Sequence, residues 1–201
     1  MKKKIQRESG YSIIEIVTMI LLMGLLAVGV SALFSWGFRI WRMSDEQAKA
    51  AAVYQGAYDK IIAEIREMQT SSNGSYPIES ASSTELIFYT NIDGDDDRER
   101  IRLTLANGTI VKGIIQPVGT PATYPSNTEI TEIIAQYVRN VSVFSYFDEN
   151  FTGSQSAMNP IVINSIRLIK ILLTIDINAS QAPGPIDLTT YISVRNLKQN
   201  L

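Results

Sequence analysis

From Ile13 to Phe34 the chain reads IIEIVTMILLMGLLAVGVSALF, and its one charged side chain is that of Glu15. At about 1.5 Å per residue, a helix over this segment spans roughly 33 Å, which is enough to cross a hydrocarbon core of about 30 Å. Residues 1–10 carry a net charge of +3, whereas the rest of the chain carries −5. By the positive-inside rule, this asymmetry predicts a single-pass helix with the leader in the cytoplasm and the remainder outside it.

The composition argues against an enzyme. The 201 residues include no histidine and no cysteine. This removes the commonest general base, the Ser-His-Asp triad, disulfides, and imidazole or thiolate metal ligands. GxxxxGK, HExxH and SxxK motifs are also absent from the sequence. Because the body of the chain is mildly acidic, no nucleic-acid partner is indicated either.

Glu15 is the unusual residue of the apolar segment. A carboxylate costs about 2.5–3.5 kcal/mol at the centre of a bilayer and less near the interface. One interpretation is an interfacial acid at the start of a helix, where the helix dipole stabilises it. Membrane anchoring alone does not require such a group. The position of Glu15 relative to the preceding residues is therefore informative about its function.

Residues 10–15 read GYSIIE, with a basic leader before them and the apolar run after them. This arrangement resembles the type IV prepilin motif, in which a membrane-embedded prepilin peptidase cuts after the glycine and methylates the new N-terminal amine. The resemblance implies cleavage between Gly10 and Tyr11, with N-methylation of Tyr11. The family more often has Phe or Met at that place. The resemblance also implies that Glu15 pairs with the N-terminal amine of a neighbouring subunit during filament assembly.

An ordinary signal peptide is the alternative. The residues VSA at 30–32 fit the small-residue pattern that precedes a signal-peptidase cut, which would leave a mature chain starting at Leu33. The apolar run is long for a signal h-region of about 7–15 residues, and Glu15 would lie inside it.

Proline is absent from residues 12 to 76, which favours one long helix in this part of the chain. We expect four parts: a cleaved basic leader at 1–10, a hydrophobic transmembrane and assembly helix at 11–35, an amphipathic continuation of it at 36–69, and a β-rich globular domain at 70–201. The amphipathic part is predicted from an apolar stripe at three- and four-residue spacing. The stripe consists of Ala50, Val53, Ala57, Ile61, Ile65 and Met68.

After a turn-rich tract at 70–83, alternating apolar and polar residues predict strands. Asn107-Gly108 is typical of a tight hairpin turn. Residues 129–137 are ambiguous between helix and strand. The predicted fold class is therefore α+β, a long helix packed on a mostly antiparallel sheet of five or six strands, as in pilins. The predicted strands are Thr84–Thr90, Glu99–Leu105, Thr109–Gln116, Val141–Phe147, Ile169–Ile177 and Asp187–Arg195.

Residues 85–103, ELIFYTNIDGDDDRERIRL, resemble the globular part of J-type minor pseudopilins of type II secretion and of W-type minor pilins. The two resemblances together imply a structural minor subunit of a type IV pilus or a type II secretion pseudopilus. Its partners would be prepilin peptidase, other pilin or pseudopilin subunits and the bacterial inner membrane, with the globular domain outside the cytoplasm. The alternative is an exported binding module with a generic anchor or an ordinary signal peptide.

The acidic tract within this passage places oxygen-bearing side chains at alternating positions. Calcium favours six to eight oxygen ligands, so Asp93, Asp95 and Asp97 are candidate calcium ligands. The EF-hand pattern fails, because Gly94 is misplaced and Glu99 comes too soon. An exposed hairpin turn explains the same residues, since Asp and Gly are ordinary turn formers. The sequence therefore predicts no cofactor, with calcium as a candidate at this tract only.

Overall fold

The computed structural model describes residues 10–176, 185–194 and 197, except for the side chains of residues 46–54 and 57. The chain divides into two compact units, Met1–Ala50 and Ala51–Leu201. Helix α1 spans Ile13–Arg66. It begins where the carbonyl of Ser12 accepts the N–H groups of Glu15 and Ile16, at 3.0 and 3.2 Å. The predicted long helix is therefore present, and it ends shortly before Met68.

The second unit contains a five-stranded sheet in which each strand pairs with the next in the chain, and all pairs are antiparallel. A second, three-stranded antiparallel sheet follows in the sequence. The first sheet consists of β1 (Ile78–Ala81), β2 (Glu85–Thr90), β3 (Glu99–Ala106), β4 (Thr109–Ile115) and β5 (Ile130–Ala135). The second consists of β6 (Phe144–Phe147), β7 (Leu168–Ile175) and β8 (Ile186–Ser193), and short 3-10 turns occupy Ser126–Thr128 and Ile163–Ser165.

The α+β class and the antiparallel pairing are confirmed, but the described residues form eight strands in two sheets, whereas the sequence predicts five or six strands in one sheet. Strand β1 lies inside the tract 70–83, which the sequence predicts as turns, and β5 resolves the ambiguous segment 129–137 as a strand. Turn-forming residues identify where a chain can bend, whereas the pairing of a four-residue strand depends on a distant neighbour. The predicted hairpin turn is confirmed, since Asn107 and Gly108 have φ values of 51° and 72° between β3 and β4.

The core of the second unit packs the end of α1 against side chains from both sheets. Ile61, Ile65 and Met68 of the predicted stripe are buried. The other stripe residues, Ala50, Val53 and Ala57, lie outside the described side chains. On β7 the alternation is confirmed, because every second residue from Ile169 to Ile175 is buried.

A buried ion pair also joins the helix to the five-stranded sheet. Lys112 of β4 is 1 % exposed, and its Nζ lies 2.6 Å from Glu64 Oε1 on α1. A second carboxylate, that of the half-exposed Glu132 on β5, lies 3.6 Å from the same Nζ. The ammonium is thus neutralised from two elements at once.

Candidate functional sites in the apolar helix and the acidic turn

The predicted processing site lies immediately before helix α1. Gly10 and Tyr11 are exposed, Tyr11 to 71 %, and neither belongs to the helix. An exposed, non-helical peptide bond is the kind of bond that a peptidase can reach. The geometry at Gly10 and Tyr11 is compatible with cleavage there.

Glu15 lies in the first turn of α1 and is exposed. Its backbone carbonyl accepts a hydrogen bond from the Thr18 hydroxyl at 2.9 Å. Its carboxylate makes no hydrogen bond or ion pair within the described part of the chain. An acid in this position has a favourable interaction with the helix dipole, and it is free to meet a cation from outside this unit.

The segment Ile13–Asp45 of α1 is long and apolar enough to cross a membrane, and its most apolar stretch has no buried residue. A signal sequence near an N-terminus has the same properties. Large apolar side chains are exposed along the whole segment, from Ile13 to Trp41. A helix that is apolar on every side requires a nonaqueous surrounding, either lipid or other helices.

The acidic tract forms the turn between β2 and β3. A carboxylate oxygen from each of Asp93, Asp95 and Glu99 lies within 4.8 Å of the other two. The structure thus brings together two of the three predicted candidates and adds Glu99, the first residue of β3. Asp97 is not part of this group; its N–H donates to Asp95 Oδ1 at 2.7 Å.

Hydrogen bonds hold this turn in one conformation. Asn91 Oδ1 accepts the N–H of Gly94 at 2.6 Å, and Gly94 has a φ of 83°, which favours glycine. On the other side, the N–H of Arg98 donates to Ser72 Oγ at 2.9 Å, and its carbonyl accepts the Tyr124 hydroxyl at 2.8 Å. The turn is therefore tied to two neighbouring loops and not only to its own strands.

Glu99 is the buried member of the group, with 0 % exposure. Its Oε2 accepts the N–H of Ile92 at 2.9 Å, whereas its Oε1 has no hydrogen-bond partner within the described part of the chain. Burial raises the pKa of Glu99, hydrogen bonds from the backbone N–H groups of Ile92 and of Glu99 itself lower it, and the negative charges of Asp93 and Asp95 raise it; the net pKa is raised. The carboxylate is therefore in an electrostatically unfavourable place.

The candidates predicted from the sequence do not include Glu99, because the tract was compared with the EF-hand loop, in which the last acidic ligand comes later. A usable signal was present in the alternation of β3. Ile101 and Leu103 face the core, so Glu99, two residues earlier, points inward with them. An acid in an inward-facing position at the end of a turn is the pattern that would have identified it.

Comparison with models of known protein families gave no match, and comparison with curated proteins gave none either.

Proposed function

We propose that this chain is a structural minor subunit of a type IV pilus or of a type II secretion pseudopilus. In this proposal prepilin peptidase cuts between Gly10 and Tyr11 and methylates Tyr11, and the subunit assembles through its N-terminal helix. The observation that carries the proposal is the position of Glu15, in the first turn of α1 at the start of its apolar segment. Its carboxylate has no partner among the residues that the structure describes.

An apolar helix of this length is stable in a bilayer or in a bundle of similar helices. The hydrocarbon of a bilayer covers the apolar side chains but offers Glu15 no cation, whereas the N-terminal amine of a neighbouring subunit offers one. A buried carboxylate is tolerated when it is paired and is strongly destabilising when it is alone. Assembly therefore supplies the cation that Glu15 lacks in the isolated helix, and this favours a filament subunit over a simple membrane anchor.

The second unit supports a display role. It has its own core, built from the end of α1 and two antiparallel sheets. A domain with a self-sufficient core keeps its fold whether the preceding helix lies in the inner membrane or in a filament. We place this domain outside the cytoplasm, following the charge asymmetry of the leader.

N-terminal mass analysis of the chain purified from membranes tests the processing step. The proposal expects a mature chain that begins with N-methylated Tyr11. A start at Leu33 would show that an ordinary signal peptidase removes the helix, and an intact Met1 would show that no processing occurs. Either result would overturn the proposal in favour of an exported binding module or a generically anchored one.

Substitution of Glu15 tests the assembly step. We expect Glu15→Ala to be cleaved and methylated normally but to enter sheared filaments at least about tenfold less than the wild type, because the amine loses its partner. Glu15→Asp, which keeps the charge, should recover part of the incorporation. Glu67→Ala removes an exposed acid near the other end of the helix and serves as the matched control. Normal incorporation of Glu15→Ala would refute the pairing role.

A further inference from the structure

We propose that the turn between β2 and β3 binds a calcium ion through the carboxylates of Asp93, Asp95 and Glu99. This site is separate from the processing and assembly residues and does not depend on the proposed function. It rests on three observations within the described residues: the spacing of the three carboxylates, the buried oxygens beside them that have no hydrogen-bond partner, and the lack of an ion pair to any of the three.

The spacing suits one ion. Calcium is bound by oxygens at about 2.3–2.6 Å, so two ligands of the same ion lie at most about 5 Å apart. Oxygens of Asp93, Asp95 and Glu99 all lie within 4.8 Å of one another. Asp93 and Asp95 are exposed whereas Glu99 is buried. An ion can therefore reach the two aspartates from solvent and bind Glu99 on its protein-facing side.

The inner side of the group contains polar atoms that have no partner. Glu99 Oε1 and Thr90 Oγ1 are both buried without a hydrogen bond in the part of the chain that the structure describes. Thr90 is the direct cross-strand partner of Glu99, so the two side chains lie on the same face of the sheet. Buried side-chain oxygens are nearly always paired, and two neighbouring exceptions point to a bound group. Because carboxylate and hydroxyl oxygens accept hydrogen bonds and bind cations, the expected group is a cation.

In the part of the chain that the structure describes, no basic side chain neutralises the three carboxylates. Among the described residues, none of the ion pairs includes Asp93, Asp95 or Glu99. Neither neighbouring arginine is bonded to the three carboxylates: the guanidinium of Arg98 donates to the backbone carbonyl of Asp96, and Arg100 is paired with a glutamate of β1 at 2.6 Å. Three carboxylates that form no ion pair with a described side chain repel one another, and a divalent cation bound between them reduces that repulsion.

The donor set selects calcium. Ligands that are all oxygen favour hard cations over zinc or copper. Magnesium demands a near-ideal octahedron at about 2.0–2.1 Å and gives up its waters reluctantly, whereas calcium accepts six to eight oxygens in irregular geometry. A cluster of two turn carboxylates and one strand carboxylate is irregular, and water can complete the coordination of calcium on the exposed side.

Calorimetric titration of the full chain in detergent micelles, after treatment with a chelator, tests the proposal. We expect one calcium ion to bind per chain, with a dissociation constant on the order of 10⁻⁴–10⁻³ M, as in extracellular calcium modules. Calcium at about ten times that constant should raise the Tm of the second unit by about 3–6 °C, and a chelator should reverse the shift. Absence of both heat and a thermal shift would overturn the proposal.

Matched variants separate a built site from general charge screening. Asp93→Asn should weaken calcium binding by at least about tenfold, because it removes one charged ligand. Asp97→Asn makes the same charge change in the same turn but outside the group, and should weaken binding less than about threefold. Equal losses in the two variants would show diffuse attraction and refute the site. An equal response to magnesium would refute the choice of calcium.

Glu99→Gln tests the buried ligand. It keeps the size of the side chain, removes the charge and should abolish the thermal shift. If Glu99→Gln fails to fold, calcium binding by Asp93→Asn is the deciding measurement, because the Asp93 side chain is exposed and its replacement leaves the core intact.

Discussion

Removing the carboxylate of Glu64 should destabilise the second unit by about 3 kcal/mol, because it leaves the ammonium of Lys112 buried with a poorer partner. Lys112 is 1 % exposed, and Glu64 Oε1, at 2.6 Å, is its nearest counter-charge. Breaking a buried pair costs about 3–5 kcal/mol. We expect the lower end of that range, because Glu132 remains 3.6 Å from Lys112 Nζ and is open to solvent.

Replacing both partners by apolar residues should be much less harmful. Glu64→Met and Lys112→Met each leave one charge without its partner, whereas the double variant removes both charges and fills similar space. The free energy of unfolding of the double variant should lie within about 1.5 kcal/mol of the wild-type value. In the double-mutant cycle, the coupling energy between Glu64 and Lys112 should therefore be at least about 2 kcal/mol. Glu64 Oε2 is already buried without a partner in the described structure, which limits what the wild-type pair contributes.

The assay is urea unfolding of the full chain in detergent micelles, followed by near-UV circular dichroism of the tyrosines. Glu67→Met, at an exposed position immediately after the helix, should change the free energy of unfolding by less than about 0.5 kcal/mol. A double variant as unstable as the sum of the two single variants would refute the reasoning, because it would mean that Glu64 and Lys112 contribute independently.

Two further predictions concern the sheets. Arg100 donates two hydrogen bonds to Glu79 and lowers the pKa of that carboxyl; the pair's stabilisation is therefore present above the unfolded pKa and lost as pH falls through the folded value. Urea unfolding of Glu79→Gln should accordingly depend less on pH below about 4.5 than that of the wild type, and identical pH profiles would contradict this. Tyr146 is 1 % exposed and its hydroxyl donates to the Ser82 carbonyl at 2.9 Å, so Tyr146→Phe should cost about 1–2 kcal/mol of unfolding free energy. Tyr191→Phe, at a half-exposed position, should cost less. Equal effects of the two substitutions on the unfolding free energy would contradict the role given to the Tyr146 hydroxyl.

Much of the fold follows from local patterns in the sequence. The length of the apolar run and the absence of proline predict the long helix, and Asn107-Gly108 predicts the β3–β4 turn. The alternation along β7 predicts which of its side chains are buried. These signals depend on neighbouring residues only, so they can be read without knowing the partners.

The candidate sites likewise have some features that the sequence determines and others that depend on the tertiary structure. The sequence alone determined that Glu15 is the single charge in an apolar segment and that residues 91–97 are rich in oxygen side chains. Only the tertiary structure decided that Glu99 lies beside Asp93 and Asp95, that the described strands form two sheets, and that Lys112 pairs with Glu64. Each of these depends on which distant segments are brought together. A side chain's partner is set by pairing and packing across the fold, whereas a periodic pattern records only the face on which the side chain lies.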